Sequence, residues 1–103
     1  MSYMTITTRE LSDGSDWDTN LRNVREHRMP ALIEMGATRV TVIRTSDRTS
    51  AAISEWPDQR TRDNAMHLIE QVRGKIQAND GFRLTGEMRG AVVAEVRNAV
   101  ELI

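Results

Sequence analysis

The sequence predicts an α+β domain in which a β-hairpin lies between two helices, with a further strand towards each end of the chain. The hairpin pattern runs from Ala37 to Pro57, where β-branched and alternating residues flank the polar break Ser-Asp-Arg-Thr. Helical periodicity precedes and follows this stretch. The order strand, helix, hairpin, helix, strand is that of a split βαβ unit, so we expect one antiparallel sheet.

Length and composition limit the classes of function. A chain of 103 residues suits one domain, so we expect residues 1–103 to form a single unit. The formal net charge is −1 with charges of both signs interspersed, which argues against a nucleic-acid partner. No apolar run has bilayer-spanning length and no signal-peptide pattern is present, so we expect no membrane contact. The absence of cysteine agrees with a cytoplasmic location.

The first strand and first helix follow from local patterns. Residues 3–11 alternate, with Met4 and Ile6 on one face of the predicted strand. Ser15 with Asp18 is an acidic variant of the capping box, which predicts a helix that begins near Asp16. The predicted buried stripe of this helix comprises Trp17, Leu21, Val24, Arg28, Ala31 or Leu32, and Met35.

A proline interrupts that helical pattern. Pro30 removes a backbone donor and clashes with the preceding turn, so we expect a kink or a break near Arg28 and Met29. A kink of this kind opens space between helix and sheet beside His27 and Arg28. Gly36 is the expected left-handed residue that ends the helix.

The hairpin strands carry apolar residues on both faces, as Val42 and Ile43 illustrate. A sheet with one face in water usually has one polar face, so we expect helices on one side and a partner subunit on the other. After the hairpin, Asp58 is the predicted N-cap of a second helix that runs to about Ala78. Its predicted buried stripe comprises Ala65, Leu68 or Ile69, Val72 and Ile76, and His67 lies opposite that stripe.

The end of the chain admits two interpretations. The segment from Phe82 to Met88 is interrupted by Gly86, whereas Gly90 precedes the apolar run Ala-Val-Val-Ala-Glu-Val. We favour this run as the last strand of the sheet. The helical period fits the same region up to Ile103, so the helix stays open as the alternative.

The segment Ile-Ser-Glu-Trp-Pro-Asp, together with the order of elements, resembles the dimeric α+β barrel superfamily and its antibiotic-biosynthesis-monooxygenase-like branch. Glu55, Trp56 and Asp58 match a strand end and acidic turn of that superfamily, and Gly86 with Glu87 or Gly90 resembles its late Gly-Glu segment. The resemblance implies a ferredoxin-like βαββαβ fold with an antiparallel sheet, paired as a dimeric α+β barrel, and a pocket between sheet and helices in each subunit.

The resemblance leaves two functions open. One is a cofactor-independent monooxygenase-like enzyme acting on a small aromatic or polyketide-like molecule, and the other is a non-catalytic homodimer with a ligand-binding or structural role. The pair of histidines at the start of the second helix in many monooxygenase-like members is absent here, as is the Asn–Trp–His set of the haem-degrading branch. The sequence therefore indicates no particular cofactor, and it leaves open the use of haem or flavin and whether the chain is an enzyme.

Five residues are candidates for a site that binds a small hydrophobic or aromatic ligand. Trp56 can line a pocket through its indole, or simply fill the core. His27 is the candidate acid or base, and Arg28 beside it can orient an anionic or phenolic substrate. Arg44 and Tyr3 complete the substrate-binding set, although a cross-strand ion pair between Arg44 and Glu55 and a packing role for Tyr3 are the simpler interpretations. The two histidines have no metal-ligand spacing, so we expect no metal.

Overall fold

A four-stranded antiparallel sheet with helices on one face organises the computed structural model, which describes residues 2–71 and 81–98. Its elements are β1 (Tyr3–Leu11), α1 (Trp17–Asn23), a π-helical segment (Val24–Arg28), α2 (Met29–Glu34), β2 (Arg39–Arg44), β3 (Thr49–Trp56), α3 (Gln59–Asn64) and β4 (Phe82–Ala91). Residues 66–71 are helical again after a turn at Ala65. The strand order is β2-β3-β1-β4, which confirms the predicted α+β class and order of elements.

Strand β1 lies at the centre of the sheet and pairs with β3 on one side and β4 on the other. Alternation along β1 turns Thr5, Thr7 and Arg9 towards the helices, whereas Met4 and Ile6 face away from them. The pairing with β4 shifts by one residue between Thr8 and Arg9, which is a β-bulge.

The first helix begins one residue later than predicted and with a different cap. Asp16 is the N-cap, and its carboxylate accepts hydrogen bonds from the backbone N–H of Thr19 at 3.0 Å and from the Thr19 hydroxyl at 2.7 Å. The capping role predicted for Ser15 is therefore wrong. An aspartate at this position satisfies the same free N–H groups of the first turn.

The predicted break around Pro30 is present as a change of helix type. From Val24 to Arg28 the helix widens to a π-helical turn, in which the N–H of Met29 donates to the carbonyl of Val24, five residues earlier. Pro30 then lies in the first turn of α2, where the missing N–H of proline is tolerated. The helix thus continues past the proline by using a different hydrogen-bond spacing.

Two apolar clusters hold the helices against the sheet, one towards each end of the layer. The first contains Tyr3, Ala37, Trp56, Ala65 and Ile69. The second contains Leu11, Val24 and Phe82. Other buried residues in this layer are polar or charged, and they are Thr5, Arg9, Asn20, Arg28, Ser50, Ser54 and Arg62.

The last strand of the sheet differs from the prediction. It spans Phe82–Ala91, so the favoured strand from Ala91 to Val96 is wrong. Residues 92–98 form neither helix nor strand, which also contradicts the helical alternative for that part. Gly86 interrupts the sequence pattern but lies within the strand, opposite Thr8, where an added Cβ would be 2.9 Å from the Thr8 hydroxyl oxygen.

Some predictions fall outside the described residues. The second helix is described only to residue 71, so the stripe positions Val72 and Ile76 and the predicted end at Ala78 lie beyond it, as do residues 99–103. Of the stripe residues that are described, Ala65 and Ile69 are buried and Leu68 is exposed. Among the described residues, no helix has the length and apolar character needed to cross a bilayer.

Substitution of Gly36 by alanine should destabilise the protein. Gly36 has a φ of +115°, and a Cβ there would lie 2.8 Å from Cγ2 of Thr61. Backbone strain of this kind costs about 1–3 kcal/mol. We expect the free energy of unfolding in urea to fall by that amount in G36A. The control is G90A, because Gly90 has neither a positive φ nor a neighbour within 4 Å. Equal unfolding midpoints for the two variants would contradict the predicted strain at Gly36.

Candidate functional site

A small cavity lies between the sheet and the helices, in the polar middle of the layer. It offers about 40 Å³ to the centres of water-sized molecules. The apolar part of its wall is formed by Leu32, Ala52, Trp56 and Ile69, and its hydroxyl groups come from Thr5, Thr7 and Ser54. The charged residues that line it are Arg9, Arg28, Arg62 and Glu87.

Trp56 forms the aromatic wall of the cavity. It is the last residue of β3, and its side chain is fully buried, with 0% exposure. The indole N–H donates to the hydroxyl of Thr5 on the neighbouring strand at 3.4 Å. Because Trp56 also belongs to the apolar cluster with Tyr3, its ring is fixed on one side by packing and presents its other atoms to the cavity.

Three arginines reach the cavity from three different elements. Arg9 comes from β1, Arg28 from the last position of the π-helical segment, and Arg62 from α3. They are 5%, 7% and 3% exposed, respectively, which is unusual for a charged side chain. Nη1 of Arg9 donates to the hydroxyl of Thr7 at 3.0 Å.

Glu87 supplies a carboxylate to the same place. It lies on β4 opposite Thr7, and its Oε1 is 3.5 Å from Nη2 of Arg62. The side chain of Arg62 is 4% exposed and that of Glu87 is 29% exposed, so the carboxylate approaches from the solvent side. Three guanidinium groups and one carboxylate leave the described lining with a formal charge of +2.

The charge of the lining determines what the cavity attracts. Guanidinium groups stay protonated at any pH that proteins tolerate, so the positive charge persists. Coulomb interactions are stronger in a poorly hydrated interior than in water. An anionic group placed among Arg9, Arg28 and Arg62 would therefore be stabilised relative to the same group in solution.

A surface groove of about 340 Å³ adjoins the cavity. Arg62, Ile69 and Glu87 line both spaces. The remaining lining residues of the groove are Met66, Glu70, Met88 and Arg89. The cavity is the narrow, charged end of this combined space, and the groove is its wider outer part.

Two of the five predicted site residues meet at the cavity, namely Arg28 and Trp56. Tyr3 is buried in the cluster behind Trp56 and does not line the cavity. His27 precedes Arg28 but is exposed on the outer side of the π-helical segment. The catalytic role of His27 and the substrate-binding role of Tyr3 stay predictions.

Arg44 lies away from the cavity, at the turn end of the hairpin. Its guanidinium is 4.0 Å from the ring centre of Trp17 and donates to the carbonyls of Ser46 and Asp47. Its proposed ligand contact stays a prediction.

The ion pair expected between Arg44 and Glu55 is wrong. In the antiparallel register Arg44 lies opposite Ser50, whereas Glu55 lies opposite Arg39. Glu55 therefore pairs with Arg39, and Oε2 of Glu55 is 3.6 Å from Nε of Arg39.

Arg9, Arg62 and Glu87 were not predicted as site residues. Arg9 shares its face of β1 with Thr5 and Thr7, and a polar face of this kind also fits a strand that is open to solvent. Arg62 lies four residues after the N-cap Asp58, in a helical turn rich in polar residues. One signal was available: apolar Met4 and Ile6 occupy the opposite face of β1, which argues that both faces are covered.

Within residues 2–71 and 81–98, no group of three or more histidine, aspartate and glutamate side chains is arranged to hold a metal ion. The described lining contains no histidine. Its chemistry consists of fixed positive charge, hydroxyl donors, one carboxylate and an indole.

Comparisons with known proteins find matches of structure without matches of sequence. No family model matches the chain, and no curated protein matches it significantly. A dimeric ferredoxin-like protein from an uncultured marine organism superimposes with a TM-score of 0.71 at 13% identity, over 95% of this chain and 100% of the other. The fold is ferredoxin-like.

Two further structures match the chain over nearly its whole length. SnoaB, a cofactor-independent oxygenase from Streptomyces nogalater, matches with a TM-score of 0.59 at 18% identity, over 94% of this chain and 97% of its own. The NE2512 protein of unknown function from Nitrosomonas europaea matches with a TM-score of 0.66 at 16% identity, over 96% and 97%. At these identities the similarity establishes the ferredoxin-like fold alone.

Asp58, the N-cap of α3, should make the stability of the protein depend on pH. The backbone N–H and the hydroxyl of Thr61 each donate to the Asp58 carboxylate at 2.8 Å, and these bonds lower the pKa of Asp58 below its ordinary 3.8. The unfolded chain therefore binds a proton first as the pH falls, so the contribution of this carboxylate to stability is present above pH 3.8 and is lost below it.

Asp58→Asn removes the charge but keeps a side chain that can cap the helix, because asparagine is also a preferred N-cap residue. We expect urea unfolding of D58N to show a smaller loss of stability between neutral pH and acid than that of the unchanged protein. The control is D63N, because Asp63 is an exposed residue of α3 that is not its N-cap. An identical pH dependence for D58N and the unchanged protein would contradict the assignment.

Proposed function

We propose that this chain is a homodimer in which each subunit binds a small organic molecule with an aromatic or apolar portion in the cavity between sheet and helices. The observation that carries the proposal is the convergence of Arg28 and fully buried Trp56 on that cavity, next to a groove large enough for a ligand body. Ligand sites are typically concave, mostly apolar and equipped with a few polar groups. The cytoplasmic location stays a prediction.

The sheet face away from the helices supports the homodimer. Ile6 lies opposite Ile53 on one neighbouring strand and opposite Met88 on the other, so an apolar row crosses the sheet. Met88 is 65% exposed and Ile43, on the edge strand, is 45% exposed. A second copy of the chain would cover this row. A matching structure is described as dimeric.

A second candidate function is cofactor-independent oxygenation of a small aromatic molecule, the activity named for SnoaB. The supporting observation is that Arg28 and Trp56 line the same cavity. A nearby guanidinium favours the ionised form of a phenol or enol, which is the electron-rich form that reacts directly with dioxygen. Glu87 lines the cavity and His27 does not, so Glu87 is better placed to accept the proton.

Binding is the function that the geometry supports more directly. A fixed positive charge and an indole suffice to hold a ligand, whereas turnover also needs a proton acceptor with a clear path to the reacting atom. The carboxylate of Glu87 is already engaged with Arg62, at 3.5 Å from its Nη2.

The homodimer predicts a specific effect of charge on the outer sheet face. Ile43→Glu places a carboxylate in the proposed interface, where it would be desolvated. We expect light scattering at micromolar concentration to report a dimer for the unchanged protein and a monomer for I43E. The control is I33E, because Ile33 is 48% exposed on α2, away from this face. A monomeric unchanged protein would overturn the dimer.

The ligand site predicts a bound small molecule. Native mass spectrometry of the protein purified from its own host should show a dimer that retains one small-molecule mass per subunit. Ala52→Leu extends a larger side chain from the wall into the cavity. The protein should then no longer retain the small molecule, while the dimer stays intact. Ile33→Ala, on the exposed side of α2, should leave the mass in place. Retention of the same mass by A52L would place the ligand elsewhere.

A further inference from the structure

We infer that the cavity binds the carboxylate of an organic acid, and that Glu87 is an internal carboxylate that competes with this ligand for Arg62. The inference rests on the proposed function and specifies its ligand: the carboxylate occupies the narrow end and the remainder of the molecule lies in the outer groove. The narrow end has a positive lining, so an anionic group suits it better than a neutral aromatic molecule does.

The charge of the lining selects an anion. Arg9, Arg28 and Arg62 come from three elements that are far apart in sequence, so their convergence is a property of the tertiary structure. Each is at least nine-tenths buried. Guanidinium groups bind carboxylates through paired, parallel hydrogen bonds, and burial strengthens these interactions.

The size of the narrow end limits the anionic group of the ligand to a small one. A cavity needs roughly 10–15 Å³ of space for water centres to hold one water molecule. The cavity therefore has room for about three water molecules in its 40 Å³, which is enough for a small anionic group. A carboxylate is the anion that this lining already holds, since Glu87 presents one to Arg62.

The wall and the groove determine the rest of the ligand. Leu32, Ala52 and Trp56 make the cavity wall apolar beside the guanidinium groups. The groove of about 340 Å³ shares Arg62, Ile69 and Glu87 with the cavity, so a ligand can extend from one space into the other. An aryl or branched alkyl carboxylate has both an anionic group for the cavity and an apolar body for the groove.

Glu87 already presents the same chemical group to Arg62. Its Oε1 is 3.5 Å from Nη2 of Arg62, and its side chain is partly in solvent whereas that of Arg62 is almost completely buried. Moving Glu87 fully into water costs less than exposing Arg62, because its carboxylate is already partly hydrated. A ligand carboxylate would therefore replace Glu87 rather than displace the arginine.

The test compares benzoate with benzamide, which has the same shape and no charge. By isothermal titration calorimetry, we expect benzoate to bind at least tenfold more tightly than benzamide. Arg28→Gln should weaken benzoate binding roughly 10- to 100-fold, the usual loss for a hydrogen bond to a charged group. The control is R25Q, since Arg25 lies in the same π-helical segment, is exposed and carries the same charge.

The role of Glu87 has its own comparison. Glu87→Gln should tighten benzoate binding severalfold, because the competing carboxylate is removed. Glu34→Gln removes the same charge from an exposed position on α2, outside the cavity and the groove, and should change affinity less than twofold. Equal tightening in both variants would show a general effect of charge and overturn the competition. Weaker binding in E87Q would also overturn it.

Other outcomes separate this inference from the proposed function. Equal binding of benzoate and benzamide, or unchanged benzoate binding in R28Q, would overturn the carboxylate site while leaving the ligand cavity in place. Tighter binding of phenyl phosphate than of benzoate would also overturn it. If neither probe binds at millimolar concentration and native mass spectrometry finds no retained mass, the ligand site itself is refuted.

The folded state of each variant is checked by thermal unfolding. If R28Q does not fold, R62Q with the exposed control R60Q provides the same comparison on α3. A purely structural role for these arginines predicts lower stability with an unchanged preference for benzoate over benzamide, and that result would overturn the inference.

Discussion

The burial of three guanidinium groups between sheet and helices is the constraint on which the rest of the molecule depends. A charged side chain loses its hydration on burial, and like charges in one poorly hydrated space repel each other. Around Arg9, Arg28 and Arg62 this cost is reduced by hydroxyl groups and by Glu87. The apolar clusters on either side supply the packing that keeps the layers together. The first cluster shares Trp56 and Ile69 with the wall of the cavity, so apolar packing and buried charge meet there within one layer.

The π-helical segment explains how one of these arginines enters the layer. Proline cannot donate a backbone hydrogen bond, so Pro30 leaves the carbonyl of Glu26 without its regular helical partner. The bond from Met29 to Val24 spans five residues and widens the turn just before the proline. Arg28 ends this wide turn and is buried, although it follows exposed His27. Wide turns of this type recur at functional sites because they redirect a side chain without ending the helix.

Local sequence patterns predicted much of the fold and only part of the site. The hairpin, the break near Pro30 and the cap at Asp58 follow from residues adjacent in sequence, so they were visible without the structure. Arg28 was identified through that break and Trp56 through a family resemblance. Arg9 and Arg62 were missed because a single arginine on a polar strand face or in a polar helical turn has the same pattern whether it is buried or exposed. Their burial depends on which elements pack together.

The last strand was missed for a related reason. Gly86 and Gly90 lower the intrinsic strand propensity of the segment 82–91, whereas the apolar run that follows has a high one. Pairing with β1 decides which segment forms the last strand, because β4 pairs with β1 along its whole length from Tyr3 to Leu11. A Cβ at Gly86 would lie 2.9 Å from the hydroxyl oxygen of Thr8, a residue that is far away in the chain.

The register of β1 specifies both faces of the sheet together. Successive residues of a strand point to opposite faces, so the same segment turns Thr5, Thr7 and Arg9 to the cavity and Met4 and Ile6 to the proposed interface. A slip by one residue would exchange the two sets, placing Arg9 outside and the apolar side chains among the guanidinium groups. The bulge between Thr8 and Arg9 shifts the pairing with β4 at that point, which helps to fix the alignment. A ligand site and a dimer surface built on one central strand are therefore linked through its register.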